Sequence, residues 1–297
     1  MAFLSMLLVL IWSMGFITGK FIVGFIDPNV YLGIRFLCAG MVFLTIALWL
    51  RRPFPQWKEL PKHIVAGMLM NGFYLGFAYV AIAQGLPAGI MALIGALQPA
   101  LVTVLAFLLI KEKTSFKGII GIVIGMLGLV LVVSPALDLD MGNGGVSLLT
   151  LSLGCCAILV LSLGVTYQKT SIASSDIFSS LAIQNLAGSA ISLGFVLFLG
   201  ERLFVMQWES FALVAWGVFV LSGGGVFLMV WLLRKSKASH VSTLLLLAPP
   251  LAAVESYFIF SESMSTIQIV GFVVTIAGVY LSASFPRGAG TRELEKD

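Results

Sequence analysis

Long apolar runs alternate with short polar breaks along the whole chain. The breaks fall at Asp27-Pro28 and at residues 51–61, 84–87, 111–117, 135–145, 169–176, 200–209, 234–237 and 261–265. A helix needs about 20 residues to cross a hydrocarbon core of roughly 30 Å, so this spacing predicts ten transmembrane helices. Membrane strands do not fit, because the runs are too long and lack period-two alternation. The breaks are short, and none leaves room for a soluble domain. The fold class expected is therefore all-α integral membrane.

The second half of the chain repeats the first. Ser13, Gly15, Lys20 and Asp27 recur as Ser162, Gly164, Lys169 and Asp176, 149 residues on. Ala88, Pro99, Glu112, Gly121 and Gly128 recur as Ala238, Pro249, Glu262, Gly271 and Gly278, 150 residues on. A unit of that length is too long for a solenoid repeat. It predicts two five-helix half-domains, 1–135 and 146–286, around a central cavity, with a short tail at 287–297. Five is odd, so the halves should lie inverted across the bilayer. The turn Lys111-Glu112-Lys113 fits this, because its counterpart Ser261-Glu262-Ser263 has lost both lysines. Inverted repeats of this kind characterise secondary transporters.

Composition and charge sharpen the picture. The 297 residues are 60% hydrophobic and only 10% charged, with a mean hydropathy of +1.08. A soluble domain carries about 25% charge, so nearly all of the chain belongs in lipid. The first apolar run starts at Ala2 with no small-residue cleavage site after it, and is expected to remain as a span. Fourteen of the 17 Lys and Arg fall in alternate breaks and the tail, counting Lys62 at the edge of the break 51–61, and only Arg202 lies in the others. By the positive-inside rule both termini are cytoplasmic. Cys38, Cys155 and Cys156 lie inside apolar stretches and are expected to be small buried side chains, neither disulfides nor metal ligands.

Little here could catalyse a reaction. His63 and His240 are the only histidines. There is no phosphate loop and no cluster with metal-ligand spacing, so neither an enzyme nor a cofactor is expected. Gln98-Pro99 and Pro249-Pro250 fall near the midpoints of spans four and nine. Proline frees the carbonyl four residues earlier, and discontinuous helices at matching places in two repeats point to a binding site. The run Gly223-Gly224-Gly225 in span eight permits bending or close backbone approach. Glycines at spacings of three and four in span five, and more sparsely in span ten, suit tight helix packing as scaffold or dimer contacts.

The polar residues inside spans are few. Arg35 lies about two turns into span two and corresponds to Gln184; it either binds a substrate carboxylate or bonds helix ends. Lys20, near the outer end of span one, can snorkel to the interface. Glu255 is the one carboxylate well inside a span, and either exchanges protons during transport or reaches an aqueous mouth. Trp12, Asn71, Tyr74, Tyr79, Tyr167 and Trp231 are candidate cavity liners. Trp49, Trp57, Trp208 and Tyr31 suit an interfacial aromatic belt.

Trp12-Ser13-Met14-Gly15 with Lys20, Pro28 and Arg35 resembles the opening of an EamA-type protein of the drug/metabolite transporter superfamily. The stretch ALQPALVTVLAFLLIKEKTSFKGIIGIVIGMLGLVLV at 96–132 resembles that family's signature, and LAPPLAAVESYFIFSESMSTIQIVGFVVTIAGVYL at 247–281 resembles a second copy. The resemblance implies ten helices, a central cavity lined by helices one, three, four, six, eight and nine, and alternating access by rocking of the repeats. It also implies a bacterial inner-membrane exporter of small amphipathic metabolites, amino acids first and aromatic ones among them. Multidrug cation efflux and a channel-like permease are the alternatives. The partners expected are a small-molecule substrate and the lipid bilayer, with no nucleic acid, for a monomer or homodimer. Reporter fusions to either end of the chain are expected to score as cytoplasmic; opposite locations for the two ends would overturn the ten-span count.

Overall fold

The computed structural model describes residues 2–110, 116–134, 146–172, 175–226, 228–229, 232, 247–262 and 264–284. Among these residues the secondary structure is helical, with no strand beyond an isolated bridge between Ile26 and Phe204. Helix α1 (Ala2–Phe21) leads through Asp27 into α2 (Pro28–Trp49). Proline suits the first position of α2, where the missing N–H would have had no intrahelical partner. The third run is continuous and consists of α3 (Leu60–Gly67), a π-helical turn (Met68–Phe73) and α4 (Tyr74–Ala83). The fourth is broken into α5 (Ala88–Gly95) and α6 (Gln98–Ile110), just ahead of Pro99. Then come α7 (Phe116–Val133), α8 (Leu148–Ser171) and α9 (Ile177–Leu199). Helix α10 (Trp208–Ala215) runs into a second π-helical stretch (Trp216–Gly225). Helix α11 (Ala248–Phe260) carries Pro249 and Pro250 in its first turn, and α12 (Thr266–Ser284) follows.

Six of the described helices are long and apolar enough to cross a membrane: Phe3–Phe21, Pro28–Trp49, Leu60–Ala83, Ala88–Leu105, Leu148–Gln168 and Ile177–Leu199. Phe116–Val132 and Thr266–Leu281 are shorter apolar helices. The two remaining expected spans, eight and nine, include positions outside the described residues. So do the Lys111-Glu112-Lys113 turn, the loop 135–145, the basic turn 234–237 and the tail.

Three helices pack on elements of their repeat-equivalent spans: α2 on α9, α7 on α12 and α5 on α11. Helices α2 and α9 run antiparallel, with Gly33 against Leu193 and Gly40 against Leu186. Helices α7 and α12 do the same, with Gly121 and Gly125 against Gly278, and Gly128 against Gly271 and Thr275. Helix α5 meets α11 where Gly89 faces Ala253. Lipid tails are as apolar as leucine, so close van der Waals approach replaces hydrophobic drive in holding such pairs. The glycines of α7 and α12 are therefore spent on each other within one chain.

The two aspartates of the repeat do different work. Asp176 caps α9, accepting from the N–H groups of Phe178 and Ser179 at 2.9 and 3.2 Å. Asp27 instead accepts from the backbone of Arg202 and Leu203 at 2.7 Å each. Glu201 in turn caps α2, accepting from the N–H groups of Asn29 and Val30. This exchange ties the start of α2 to the segment after α9.

Two expectations about burial need correction. Cys38, Cys155 and Cys156 are free thiols, as expected, but all three are exposed on the outside of the bundle. An apolar stretch in lipid has no need to hide its small residues from the solvent around it. Tyr31 is fully buried and is no belt residue, whereas Trp49, Trp57 and Trp208 are widely exposed.

A side chain at Gly128 would collide with backbone atoms of α12, which cannot swing aside. Gly128→Leu is expected to cost more than about 3 kcal/mol, beyond the usual range for overpacking. Thermal unfolding in detergent checks this, with Gly15→Ala, which faces open space, as the mild control.

Candidate substrate site

The first helix shows where the molecule is open. Its outer face carries the exposed Phe3, Met6, Leu10 and Phe21. Trp12 lies two residues on from Leu10, about 160° round the helix at 3.6 residues per turn. That direction is inward, between α4, which touches Gly19, and α5, which touches Phe16 through Gly95. Yet Trp12 is 38% exposed. An inward-pointing tryptophan left open marks space inside the bundle. Gly15, one turn further, likewise has nothing within 4 Å of where a Cβ would stand.

Behind that space lies a buried guanidinium. Arg35 on α2 is only 7% exposed. Its Nε donates to Ser222 Oγ at 3.0 Å, and its Nη1 reaches the Tyr79 hydroxyl at 3.5 Å. Tyr79 donates onward to the Gly15 carbonyl at 2.9 Å, so one hydroxyl connects Arg35 to the open stretch of α1. Tyr31 stacks on Tyr79 with ring centroids 5.9 Å apart and planes 10° from parallel, and donates to the Leu213 carbonyl. No carboxylate pairs with Arg35 among the described residues; an ion pair joins Lys20 and Glu262 instead. Burying an ion costs several kcal/mol unless a partner compensates, and here Ser222 and Tyr79 supply only neutral hydroxyls.

The same local geometry occurs in both halves. Gly217, at the head of the second π-helical stretch, lies against Arg35 and Tyr31; Gly67, just before the first, lies against the backbone of Gln184, the counterpart of Arg35. The missing side chain lets each bent helix approach the polar residue of its neighbour. π-Helical segments recur at functional sites, and these two occupy matching positions in the repeats. Sequence reasoning found the glycine run at 223–225 but missed both π segments, because the helical period changes there without a break in hydrophobicity.

The candidate residues divide into groups. Trp12, Arg35 and Tyr79 come together, joined by Ser222 and Tyr31. Tyr74, one turn before the start of the Tyr79 turn, packs partly buried on the main core. Gln98 and Pro99 sit half-buried where α5 gives way to α6. Asn71 lies in the first π segment with its Cβ against Gly188 of α9. Tyr167 is half-buried on α8, one turn past Gly164, which packs on Met70. Pro249 is buried in the first turn of α11. Trp231 lies outside the described residues. Lys20 does not merely snorkel, since its Nζ stands 3.5 Å from Glu262. Glu255 accepts from Ser13 on α1 at 2.9 Å. Ser222 was not foreseen, but Tyr31 was legible: it precedes Arg35 by four residues and so shares its face of α2.

The profile of the EamA-like transporter family matches residues 1–134 and 148–284. The chain belongs to this family. EamA-like proteins are membrane transporters of the drug/metabolite superfamily and not enzymes, and this chain is a membrane transporter with them. A protein of Archaeoglobus fulgidus named an uncharacterized transporter is 24% identical, over 93% of this chain and 95% of its own. One of Salmonella typhimurium, named a probable amino-acid metabolite efflux pump, is 22% identical over 94% and 93%. One crystal structure superposes with a TM-score of 0.62 at 18% identity, covering 94% of this chain and 95% of that one, which speaks for the fold alone.

Tyr79→Phe removes both the donor to Gly15 and the acceptor for Arg35, and is expected to lower stability by about 1–2 kcal/mol. Trp12→Ala, at a half-open position, should leave the melting temperature within about 2 °C of the parent. Differential scanning of the purified variants in detergent separates the two.

Proposed function

We propose that this transporter exports small amphipathic carboxylates, amino acids first and aromatic ones among them, by alternating access of two inverted five-helix repeats. The observation that carries the substrate class is Arg35, a buried cation without an acidic partner among the described residues, one hydroxyl away from the open face of α1. A carboxylate entering beside Trp12 would compensate the guanidinium through charge-assisted hydrogen bonds, while the indole and neighbouring apolar groups take the side chain. A cationic drug would meet repulsion from the same arginine. The Salmonella relative's printed name agrees with this class.

The architecture rests on the antiparallel pairing of repeat-equivalent helices, which a two-fold axis in the membrane plane would generate. The family match in two segments of similar length and the alternation of basic residues support the same reading, with both termini in the cytoplasm. Trp12, Arg35, Tyr79 and Gln98 are the residues assigned to substrate, with Tyr74, Tyr167 and Trp231 lining the path and Asn71, Pro99 and Pro249 shaping the helices around it.

Counterflow in proteoliposomes against the twenty amino acids and one cationic dye tests the proposal. Saturable exchange of one or more amino acids, reduced at least about tenfold (1.4 kcal/mol) in Trp12→Ala, Gln98→Ala and Arg35→Gln, is expected. Exchange of the dye alone, or unchanged flux in folded variants, would remove the substrate class; flux without saturation would make the protein a channel.

A further inference from the structure

Helices α1 and α11 meet along a parallel seam that joins the two halves of the chain. Three contacts mark it: Ser13 with Glu255, Lys20 with Glu262, and Phe21 with Phe260 edge to face at 5.0 Å. The Lys20–Glu262 pair is complete in itself, and Ser256 donates a further hydrogen bond to the Glu262 carboxylate. Glu255 is different. It stands within α11, just before Ser256, and no ion pair joins it to a cation among the described residues.

The hydrogen bonds around Glu255 can be counted. Ser13 Oγ lies 2.9 Å from Glu255 Oε1 and 2.9 Å from the Leu10 carbonyl, but a hydroxyl has one proton to give. Glu255 Oε2 is buried without a partner. If the carboxyl were ionised, Ser13 would have to turn its proton from Leu10 to Oε1, and a charged oxygen would remain buried with no donor. If the carboxyl is protonated, Oε1–H donates to Ser13 Oγ, and Ser13 donates to Leu10. Oε2 is then an ordinary carbonyl oxygen, whose burial costs far less than that of a charge. Among the described residues the helices packed on Glu255 offer no other compensation. Lys20 is the only titratable residue on α1, α5 has none, and on α11 itself Tyr257 faces outward.

We infer that Glu255 holds a proton while Ser13 closes the α1–α11 seam, and that exchange of this proton with water couples export to the proton gradient. This rests on the exporter reading for its cargo. A hydron from the outer aqueous phase adds to Oε1 and restores the Ser13 bond. Its loss to water on the inner side leaves a carboxylate that the closed seam cannot accommodate, so the seam favours parting. One proton moves inward for each substrate moved outward. No bond other than this O–H is made or broken.

Two measurements test it. Infrared difference spectra of the full chain in lipid nanodiscs, stepped in pH, read the C=O stretch of protonated carboxyl groups. The parent and Glu262→Gln are expected to show one such band at neutral pH, and Glu255→Gln to lack it; Ser13→Ala should move its titration. No band at neutral pH, or a band that survives Glu255→Gln, would overturn the assignment. The second measurement uses labelled phenylalanine in proteoliposomes. Glutamine keeps the shape and the donor of the protonated acid, so Glu255→Gln should retain counterflow within about twofold. Accumulation driven by a gradient of about one pH unit should fall from about tenfold, the limit for one proton exchanged, to none. Undiminished accumulation sinks the coupling, and so does loss of counterflow together with accumulation, which would make Glu255 a structural or substrate group. If the parent itself does not exchange phenylalanine or any other amino acid, the exporter reading fails and the coupling with it, while the infrared band still decides where the proton resides.

Discussion

Close approach of backbones at glycine is the constraint on which this molecule depends. In lipid, helices gain nothing by hiding leucine from leucine, so pairs cohere only where their axes come near enough for dense contact. Gly128, Gly271 and Gly278 bring α7 and α12 together almost backbone to backbone, and Gly33 and Gly40 do so less tightly for α2 and α9. Those pairings set the frame in which the remaining helices bend. Gly67 and Gly217 then apply the same device at the heads of the two π-helical segments, where it brings polar side chains rather than scaffolding into register.

The frame has energetic consequences for its few polar groups. Several of the buried ones answer to backbone carbonyls: Tyr79 to Gly15, Tyr31 to Leu213, Ser189 to Gly33. Arg35 and Glu255 stand out because their partners are neutral. A neutral hydroxyl offsets only part of the cost of a buried charge. The two therefore differ in what they await. A guanidinium in general keeps its charge, whereas a carboxyl can meet the same deficit by keeping its proton. On the function proposed above, substrate and proton have separate places, on α2 and on the α1–α11 seam, that share helix α1 between them.

Much of this was legible in the chain. The repeat, the breaks between spans, the interruption at Gln98-Pro99 and the polar character of positions 35 and 184 follow from spacing and residue type alone. Trp12 and Tyr74 were recognisable as inward candidates because an aromatic residue far from a span end has no interface to serve. Tyr31 was misjudged, because nearness to a span end was given more weight than its position one turn from Arg35. Asn71 also packs by its Cβ against Gly188 of α9, a contact that a polar residue in mid-span does not announce. Neither π segment could be read, since a π turn and an α turn use the same apolar residues.

Hydrophobicity accumulates locally along the chain, and so the number and length of apolar runs, their duplication and the sidedness of the basic residues were determined by the sequence by itself. Which groups meet was decided only by the tertiary structure. Arg35 finds Ser222, and Ser13 finds Glu255, across 187 and 242 residues of chain. Such contacts depend on helix rotation and bend. Those are set by where glycines let backbones touch, a property of pairs of helices that no single segment carries.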